Sequence, residues 1–494
     1  MQKNRRITRR LASFAICLAA FSPAALLHAL SDGGTRDLDA SGMPLRALPA
    51  DPKIAAAIRS IAPEAIHHDI ETLVAFKNRS TLSSMTKDLP PGTGVTAAAD
   101  WLFAQYTAIS AACGGCLEVK RDTFTEQPMS RIPVPTTITN VYAILKGTDP
   151  AQSNRAVLVT GHYDSRNSLN ENTTDPAPGA NDDASGVAVS LESARALSKM
   201  KFPGTIIFVA VAGEEQGLNG SHHLATVLKQ ENVDLEAVLN NDIVGGNTTP
   251  GDALQKKDAV RLFSEGIPAT ATPEQLKMIE LLGYESDSPS REVARAITGV
   301  DATYFGHGAA PGAGNGIPYF HPVLEFRRDR FLRGGDHTSF NGQGFAAVRF
   351  TEWREDFNHQ HQDVRVENGV QYGDLLKYVD FDYVAQVARL NAAALATFAL
   401  APPPPVEVKV VTTNLDNNTT LKWQPGAGAP AGTRYQILWR ELASPDWQFV
   451  ADASKFGSDG SATLPVSKDN VIFGLRALDA EGHASVAVVP YPVR

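Results

Sequence analysis

The sequence predicts an α/β protein: a mixed central sheet flanked by helices on both faces, with a small all-β sandwich at the C-terminus. Three observations lead there. Strand-like and helix-like stretches alternate from residue 119 to residue 399, which is the rhythm of a sheet covered by crossover helices. After Pro402-Pro403-Pro404-Pro405 the texture changes to short alternating strands. Acids and histidines also recur just past the ends of the predicted strands, the edge where open α/β sheets gather ligands.

The first residues stand apart from this pattern. Arg5, Arg6, Arg9 and Arg10 precede the apolar run 11–21, and small residues follow through Ala29. That order reads as a cleaved secretory signal over 1–29 and predicts a secreted or periplasmic protein. Arg9-Arg10 leaves the twin-arginine route open beside the general one. No later segment reads as long and apolar enough to span a membrane, so no stable membrane insertion is expected after cleavage. The net charge of −9 argues against a nucleic-acid partner, which a basic face would attract. With Cys17 in the leader, Cys113 and Cys116 remain, and an oxidising compartment predicts a local disulfide between them.

Residues 31–52 are polar and are expected to be poorly ordered. Ile54 to Arg79 reads as a helix, since Ile66, Ile70, Leu73 and Val74 recur at helical spacing. His67 and His68 lie on its surface with no acidic motif nearby. Thr96–Ala112 reads as a second helix. Strands are expected at Val119–Phe124, Ile138–Leu145, Ala156–Thr160, Thr205–Ala212, Ala237–Ile243 and Phe345–Phe350. Helices are expected at Ala184–Met200, Ser221–Gln230 and Val379–Ala399. Residues 247–335 fit this alternation less well and read as a long elaboration over the site, with helices at Pro273–Leu282 and Ser290–Ile297.

These features divide the chain into a catalytic domain over 50–400, a proline linker over 401–405 and a β-sandwich over 406–494. In the sandwich, Leu421–Trp423, Tyr435–Arg440, Trp447–Val450 and Val471–Ala477 alternate as short strands. The Trp423 strand and the later Phe473–Ala477 strand resemble a fibronectin type III module, which would bind protein or polysaccharide.

Four features share the predicted sheet edge: His162 with Asp164, Glu214-Glu215, Asp242, and the stretch from Asp336-His337 to His361. Asp182-Asp183 reaches the same edge at the start of a helix. Taken singly, each has a plain structural explanation, because adjacent acids are usually solvated and an aspartate before a helix is commonly its cap. Their joint occurrence points to a metal site, since imidazole nitrogen and carboxylate oxygen are zinc ligands.

The blocks Gly161-His162-Tyr163-Asp164-Ser165, Gly179-Ala180-Asn181-Asp182-Asp183-Ala184-Ser185-Gly186 and Gly213-Glu214-Glu215-Gln216-Gly217-Leu218-Asn219-Gly220-Ser221 resemble those of the bacterial leucyl aminopeptidase type of zinc exopeptidase. Asn241-Asp242 and Gly335-Asp336-His337-Thr338 extend the resemblance. The family also contains glutamate carboxypeptidase and the transferrin receptor, with glutaminyl cyclases more distant. The resemblance implies two Zn2+ ions per chain, bridged by Asp182 and a water or hydroxide, with a cis peptide between Asp182 and Asp183. It assigns His162 and Asp242 to one ion, and Glu215 and a later histidine to the other. It further implies Glu214 as general base and Asp164 as the group that fixes the His162 tautomer.

For the last ligand, His361 follows a glutamine as in other members, while His359 has Asp363 four residues on. His361 is preferred and His359 remains the alternative. By the same resemblance, His337 matches a family position near the site that is not a metal ligand. The expected activity is removal of N-terminal residues from peptides with a free N-terminus. A carboxypeptidase or dipeptidase of the same fold is the alternative, followed by a single-zinc cyclase. A non-enzymatic receptor or adhesion protein is the alternative of another class.

Overall fold

The computed structural model describes residues 42–305, 317–458 and 460–493. The signal expected over 1–29 lies outside the described residues.

The central sheet has eight strands in the order β2-β3-β5-β4-β6-β9-β7-β8. In chain order, with β1 given below, they are β2 (Leu117–Glu126), β3 (Thr136–Leu145), β4 (Arg155–His162), β5 (Thr205–Val211), β6 (Asp234–Asn241), β7 (Ala259–Ser264), β8 (His321–Glu325) and β9 (Ala347–Glu352). β5, β4, β6 and β9 run parallel, while β2–β3, β3–β5 and β7–β9 are antiparallel, so the sheet is mixed.

The alternation of side chains along a strand explains the two covered faces. On β5, Ile206, Phe208 and Ala210 enter one core, with the helices Pro63–Ala75, Gly94–Ala112, Ala184–Leu197 and Phe381–Leu400. Ile207, Val209 and Val211 enter the other, against Leu224, Ala225 and Leu228 of the helix Asn219–Gln230. Every residue of β4 and β5 is buried. The parallel register brings the ends of β4, β5, β6 and β9 to one edge.

Several expectations need correction. The single helix over 54–79 is two, Pro52–Arg59 and Pro63–Ala75. Pro63 occupies the first turn of the second, where its missing N–H costs nothing, and the residues before it are pushed out of the helical region. Residues 247–335 are not only a cover over the site. They supply β7 and β8, which extend the sheet, and the helix Pro289–Tyr304, whose Val293, Ala294 and Ile297 are in the main core. One helix, Phe381–Leu400, does meet the length and composition of a membrane span, contrary to expectation, but 89% of its apolar window is buried inside the fold. It is the core helix of the sheet's inner face.

The N-terminal stretch is also more ordered than its polarity suggests. β1 (Met43–Pro44) pairs antiparallel with Phe449 and Val450. Between the sheet and the C-terminal part lie the short strands β10 (Arg365–Glu367) and β11 (Val370–Tyr372). The C-terminal strands are β12 (Val406–Val411), β13 (Thr419–Gln424), β14 (Arg434–Glu441), β15 (Phe449–Asp452), β16 (Ser461–Leu464), β17 (Val471–Leu478) and β18 (Tyr491–Val493). Together with β1 they form two four-stranded sheets, β1-β15-β14-β17 and β16-β13-β12-β18, over a core of Leu421, Trp423, Ile437, Trp439 and Leu475.

Instead of hanging free as a linker, the proline run is packed, with Pro402, Pro403 and Pro405 buried. Charge and aromatic contacts tie the two parts together. Arg440 of β14 meets Asp287, Trp447 Nε1 donates to Glu292 Oε2 at 3.1 Å, and Arg295 Nε donates to the Pro445 carbonyl at 2.8 Å. Cys113 and Cys116 form the expected disulfide.

Candidate metal centre

His162 is the last residue of β4, so its side chain leaves the sheet at the gathering edge. Two glycines let the next motif come close. A Cβ on Gly161 would lie 2.4 Å from Gly186 C, and one on Gly186 would lie 2.2 Å from the Asn241 carbonyl oxygen. The helix Ala184–Leu197 therefore crosses directly against β4 and the end of β6. Its N-cap is Asp183, whose carboxylate accepts from Gly186 N at 3.0 Å, His162 N at 3.0 Å and Ile243 N at 3.2 Å. Asp183 is thus committed to backbone amides. Asp182, joined to it by a cis peptide, is left facing the site.

The structure gathers the expected residues into two donor groups, with the ligand atoms in each within 4.8 Å of one another. His162, Glu214 and Asp242 form the first, and Asp182, Glu215 and His361 the second. Asp182 connects them: Oδ1 lies 3.1 Å from His162 Nε2 and Oδ2 lies 2.9 Å from His361 Nε2. His361 Nε2 is also 3.0 Å from Glu215 Oε1. Apart from these imidazole–carboxylate approaches, His162 Nε2 and Glu215 Oε1 are buried with no hydrogen-bond partner. Orphaned buried donors and acceptors are costly, and the mixed nitrogen and oxygen donor set is one that zinc takes. The residues present fit a zinc site.

His359, the alternative ligand, belongs to neither group. Its ring stacks on Tyr378 at 3.7 Å and its Nδ1 lies 3.5 Å from Asp356. His337 Nε2 donates to the Arg328 carbonyl at 2.9 Å, and burial pulls its pKa down to about 4. Asp164 is placed differently from the expectation of a simple clamp on His162. Its carboxylate lies 3.5 Å from His162 Nδ1, long for a hydrogen bond, while its own backbone carbonyl lies 3.1 Å away. The carboxylate accepts instead from Thr81 Oγ1 at 3.0 Å, Glu215 N at 3.3 Å and Glu214 N at 3.4 Å, holding the turn that carries both glutamates.

The charge state of the site follows from burial and crowding. Burial raises the Glu214 carboxyl well above the usual range; His162 opposes this, and Asp242, Glu215 and Asp336 reinforce it. Burial works against a charged His361, but the Glu215 and Asp182 carboxylates outweigh it and push the imidazole up to about 10.

Several supporting residues carried no sequence signal. Asp374 accepts from the backbone N–H groups of Asn181, at 2.9 Å, and Asp182, at 2.7 Å. Arg349 donates from buried nitrogens to Asp242 and Asp329, at 2.9 Å each. Asn241 and Asn391 exchange amide hydrogen bonds at 3.0 and 2.9 Å, steadying the turn before Asp242. Arg166 reaches Glu215 Oε2 at 3.2 Å and His361 Nδ1 at 3.0 Å. Each acts through a long-range contact that only the fold creates.

The family model and the sequence relatives agree with this chemistry. A model of peptidase family M28 matches residues 140–291. A "probable zinc metalloprotease" of Pyrenophora teres f. teres (strain 0-1) is 41% identical over 454 residues, covering 91% of this chain and 89% of its own. Another, from Pyricularia oryzae, is 42% identical over 452 residues, covering 90% of this chain and 85% of its own. Among solved structures, the Legionella pneumophila LapA aminopeptidase aligns over 80% of each chain at 16% identity, with a TM-score of 0.47.

Proposed function

Because the chain belongs to peptidase family M28, among the zinc metalloproteases, we propose that it is an exported two-zinc aminopeptidase that removes N-terminal residues from peptides. One observation carries the reading: Asp182 presents one carboxylate oxygen to each of two buried imidazoles, at 3.1 and 2.9 Å. In this reading His162, Asp182 and Asp242 would hold one zinc, and Asp182, Glu215 and His361 would hold the other. Zinc held by these residues would supply Lewis acidity toward a water and the scissile carbonyl.

The chain's own groups do the rest. Glu214 stands on the turn held by Asp164, next to a proposed ligand, and is half-buried at the mouth of the site. There it takes a proton from the attacking water and returns it to the departing amine. The excess of carboxylates around the donor groups favours a positively charged substrate α-ammonium at the same mouth. Export rests on the arginine, apolar and small-residue order of the first 29 residues, and the Cys113–Cys116 disulfide suits an oxidising compartment. The C-terminal sandwich is read as a fibronectin type III-like module. Its β14 and Trp447 are engaged with the catalytic part, so a protein or polysaccharide partner would meet the opposite sheet.

The test is Glu214→Gln in the zinc-loaded protein. Zinc content should stay at the native value while aminoacyl-anilide turnover falls by about 10² to 10⁴-fold. Loss of zinc in this variant would make Glu214 a ligand, and near-native turnover would remove it as the base. Cleavage of N-blocked peptides as fast as free ones would favour the carboxypeptidase or dipeptidase alternative.

A further inference from the structure

We propose that an arginine-lined pocket beside the metal centre binds a carboxylate of the substrate on the leaving-group side. The preferred substrates would then be peptides with a carboxylate one or two residues beyond the scissile bond. This rests on the peptidase reading above and adds the substrate class.

The pocket has a volume of about 420 Å³, and Arg261, Arg327, Arg330, Arg333, Phe331 and Phe357 line it. Four guanidinium groups face two carboxylates there, Glu325 and Glu355, on a chain whose net charge is −9. Glu355 is nearly fully buried and takes Arg261 at 2.9 Å, Arg330 at 2.7 Å and Arg333 at 3.2 Å. One carboxylate offers about four lone-pair sites, whereas each guanidinium carries five N–H donors. Glu355 therefore cannot satisfy the arginines around it.

The surplus is concentrated on two of them. Arg330 has a second carboxylate, Asp329 at 3.0 Å, and Arg261 donates Nε to the Glu352 carbonyl at 2.8 Å. Arg333 is exposed and spends one nitrogen on long contacts, 3.2 Å to Glu355 and 3.4 Å to Gln360. Arg327 is exposed over the Phe331 ring at 3.8 Å, and makes no ion pair among the described residues. A planar fork of free donors is what a carboxylate binds in bidentate fashion.

The location brings the pocket within reach of a bound peptide. Arg333 reaches Gln360 Oε1 at 3.4 Å, and Gln360 Nε2 donates to Asp182 Oδ2 at 3.2 Å. The pocket is thus two hydrogen bonds from the residue shared by both donor groups. An extended peptide advances about 3.3–3.6 Å per residue, so a group one or two residues past the scissile carbonyl reaches the arginines. Phe331 and Phe357, 78% and 64% exposed, offer an apolar rim for the side chain beside it. A network that only braced this loop would leave neither free guanidinium donors nor exposed rings at the mouth.

The experiment compares kcat/KM of the zinc-loaded full chain on Leu-Ala, Leu-Ala-amide, Leu-Glu-amide and leucine anilide. Leu-Ala or Leu-Glu-amide should exceed Leu-Ala-amide by about tenfold, mainly through KM. In the Arg327→Ala/Arg333→Ala variant that ratio should fall toward one, and raised salt should shrink it in the native protein. Preference for Leu-Ala identifies the C-terminal carboxylate as the bound group, and preference for Leu-Glu-amide identifies an acidic side chain. Equal rates on all three peptides overturn the inference while leaving the peptidase reading intact. A ratio unmoved by the double substitution overturns it as well. Failure to cleave any of the four substrates, the anilide included, overturns the peptidase reading itself.

Discussion

Replacing Asp287 by alanine tests whether the C-terminal sandwich is welded to the catalytic part by charge. The Asp287 side chain has no solvent exposure, and its Oδ1 faces both Arg295, at 3.3 Å, and Arg440 of β14. Arg295 keeps Glu292 as a second carboxylate. Arg440 keeps no second carboxylate among the described residues, only the carbonyls of Glu441, Leu442 and Ser444 at 2.8–3.2 Å and the Trp447 ring at 5.7 Å. Asp287→Ala therefore strands a buried cation, which costs about 3–5 kcal/mol, a large part of a typical stability of about 5–15 kcal/mol. Asp287→Asn keeps an acceptor oxygen and the shape, so it should cost less, about 1.5–3 kcal/mol.

Urea unfolding followed by tryptophan fluorescence reads this directly, because Trp447 donates to Glu292 at the same junction. With an m-value of about 3 kcal/mol per M, the first transition should move down by about 1 M or more. Adding Arg440→Met removes the stranded charge, so the double variant should recover stability, with a coupling energy of at least about 1 kcal/mol. A cost below about 1 kcal/mol for Asp287→Ala, or additive effects in the double variant, would refute the reasoning.

Two more outcomes follow from the same geometry. His361→Ala should lose one zinc per chain by elemental analysis, whereas His359→Ala should keep both, since His359 is stacked on Tyr378 away from the donor groups; the opposite result would exchange their roles. Glu292 gives a pH signature. Burial lifts its carboxyl from 4.5 to about 7, so between those values the unfolded chain releases a proton that the folded chain keeps. Stability should fall across that window by up to about 1.4 kcal/mol per pH unit. Glu292→Gln should shrink the difference in unfolding free energy between about pH 5 and pH 7, and an unchanged slope would remove Glu292 as its source.

The sheet was legible where periodicity and burial agree. β4 and β5 are buried throughout and carry the apolar runs Ala156–Val159 and Ile206–Val211 because both faces are covered, and their ends announce the site with His162 and Glu214-Glu215. The same signal failed for β7 and β8. These strands lie at the sheet's far side within a Gly- and Pro-rich stretch, where composition points to loop and only pairing, of β7 with β9 and of β8 with β7, makes a strand. β1 escaped for a similar reason: two residues of strand have no periodicity of their own and owe their conformation to β15. At the site, side chains on conspicuous turns could be read from the sequence. Asp374, Arg349 and Arg166 could not, because each meets a residue of the donor groups (Asp182, Asp242 and His361) across roughly a hundred residues or more of chain.

That two-residue strand also sets an order of events. Met43 and Pro44 complete the edge of a sheet whose neighbouring strand, β15, is made roughly 400 residues later. At about 5–20 residues per second of synthesis, the N-terminal segment waits about 20–80 s before its hydrogen-bonding partner exists. Within that interval the central sheet, whose last strand in the chain ends at Glu352, can form while Met43 and Pro44 lack their strand partner, open to any enzyme that trims the chain from the front. Once β15 emerges the segment is clasped, and the window for processing it closes.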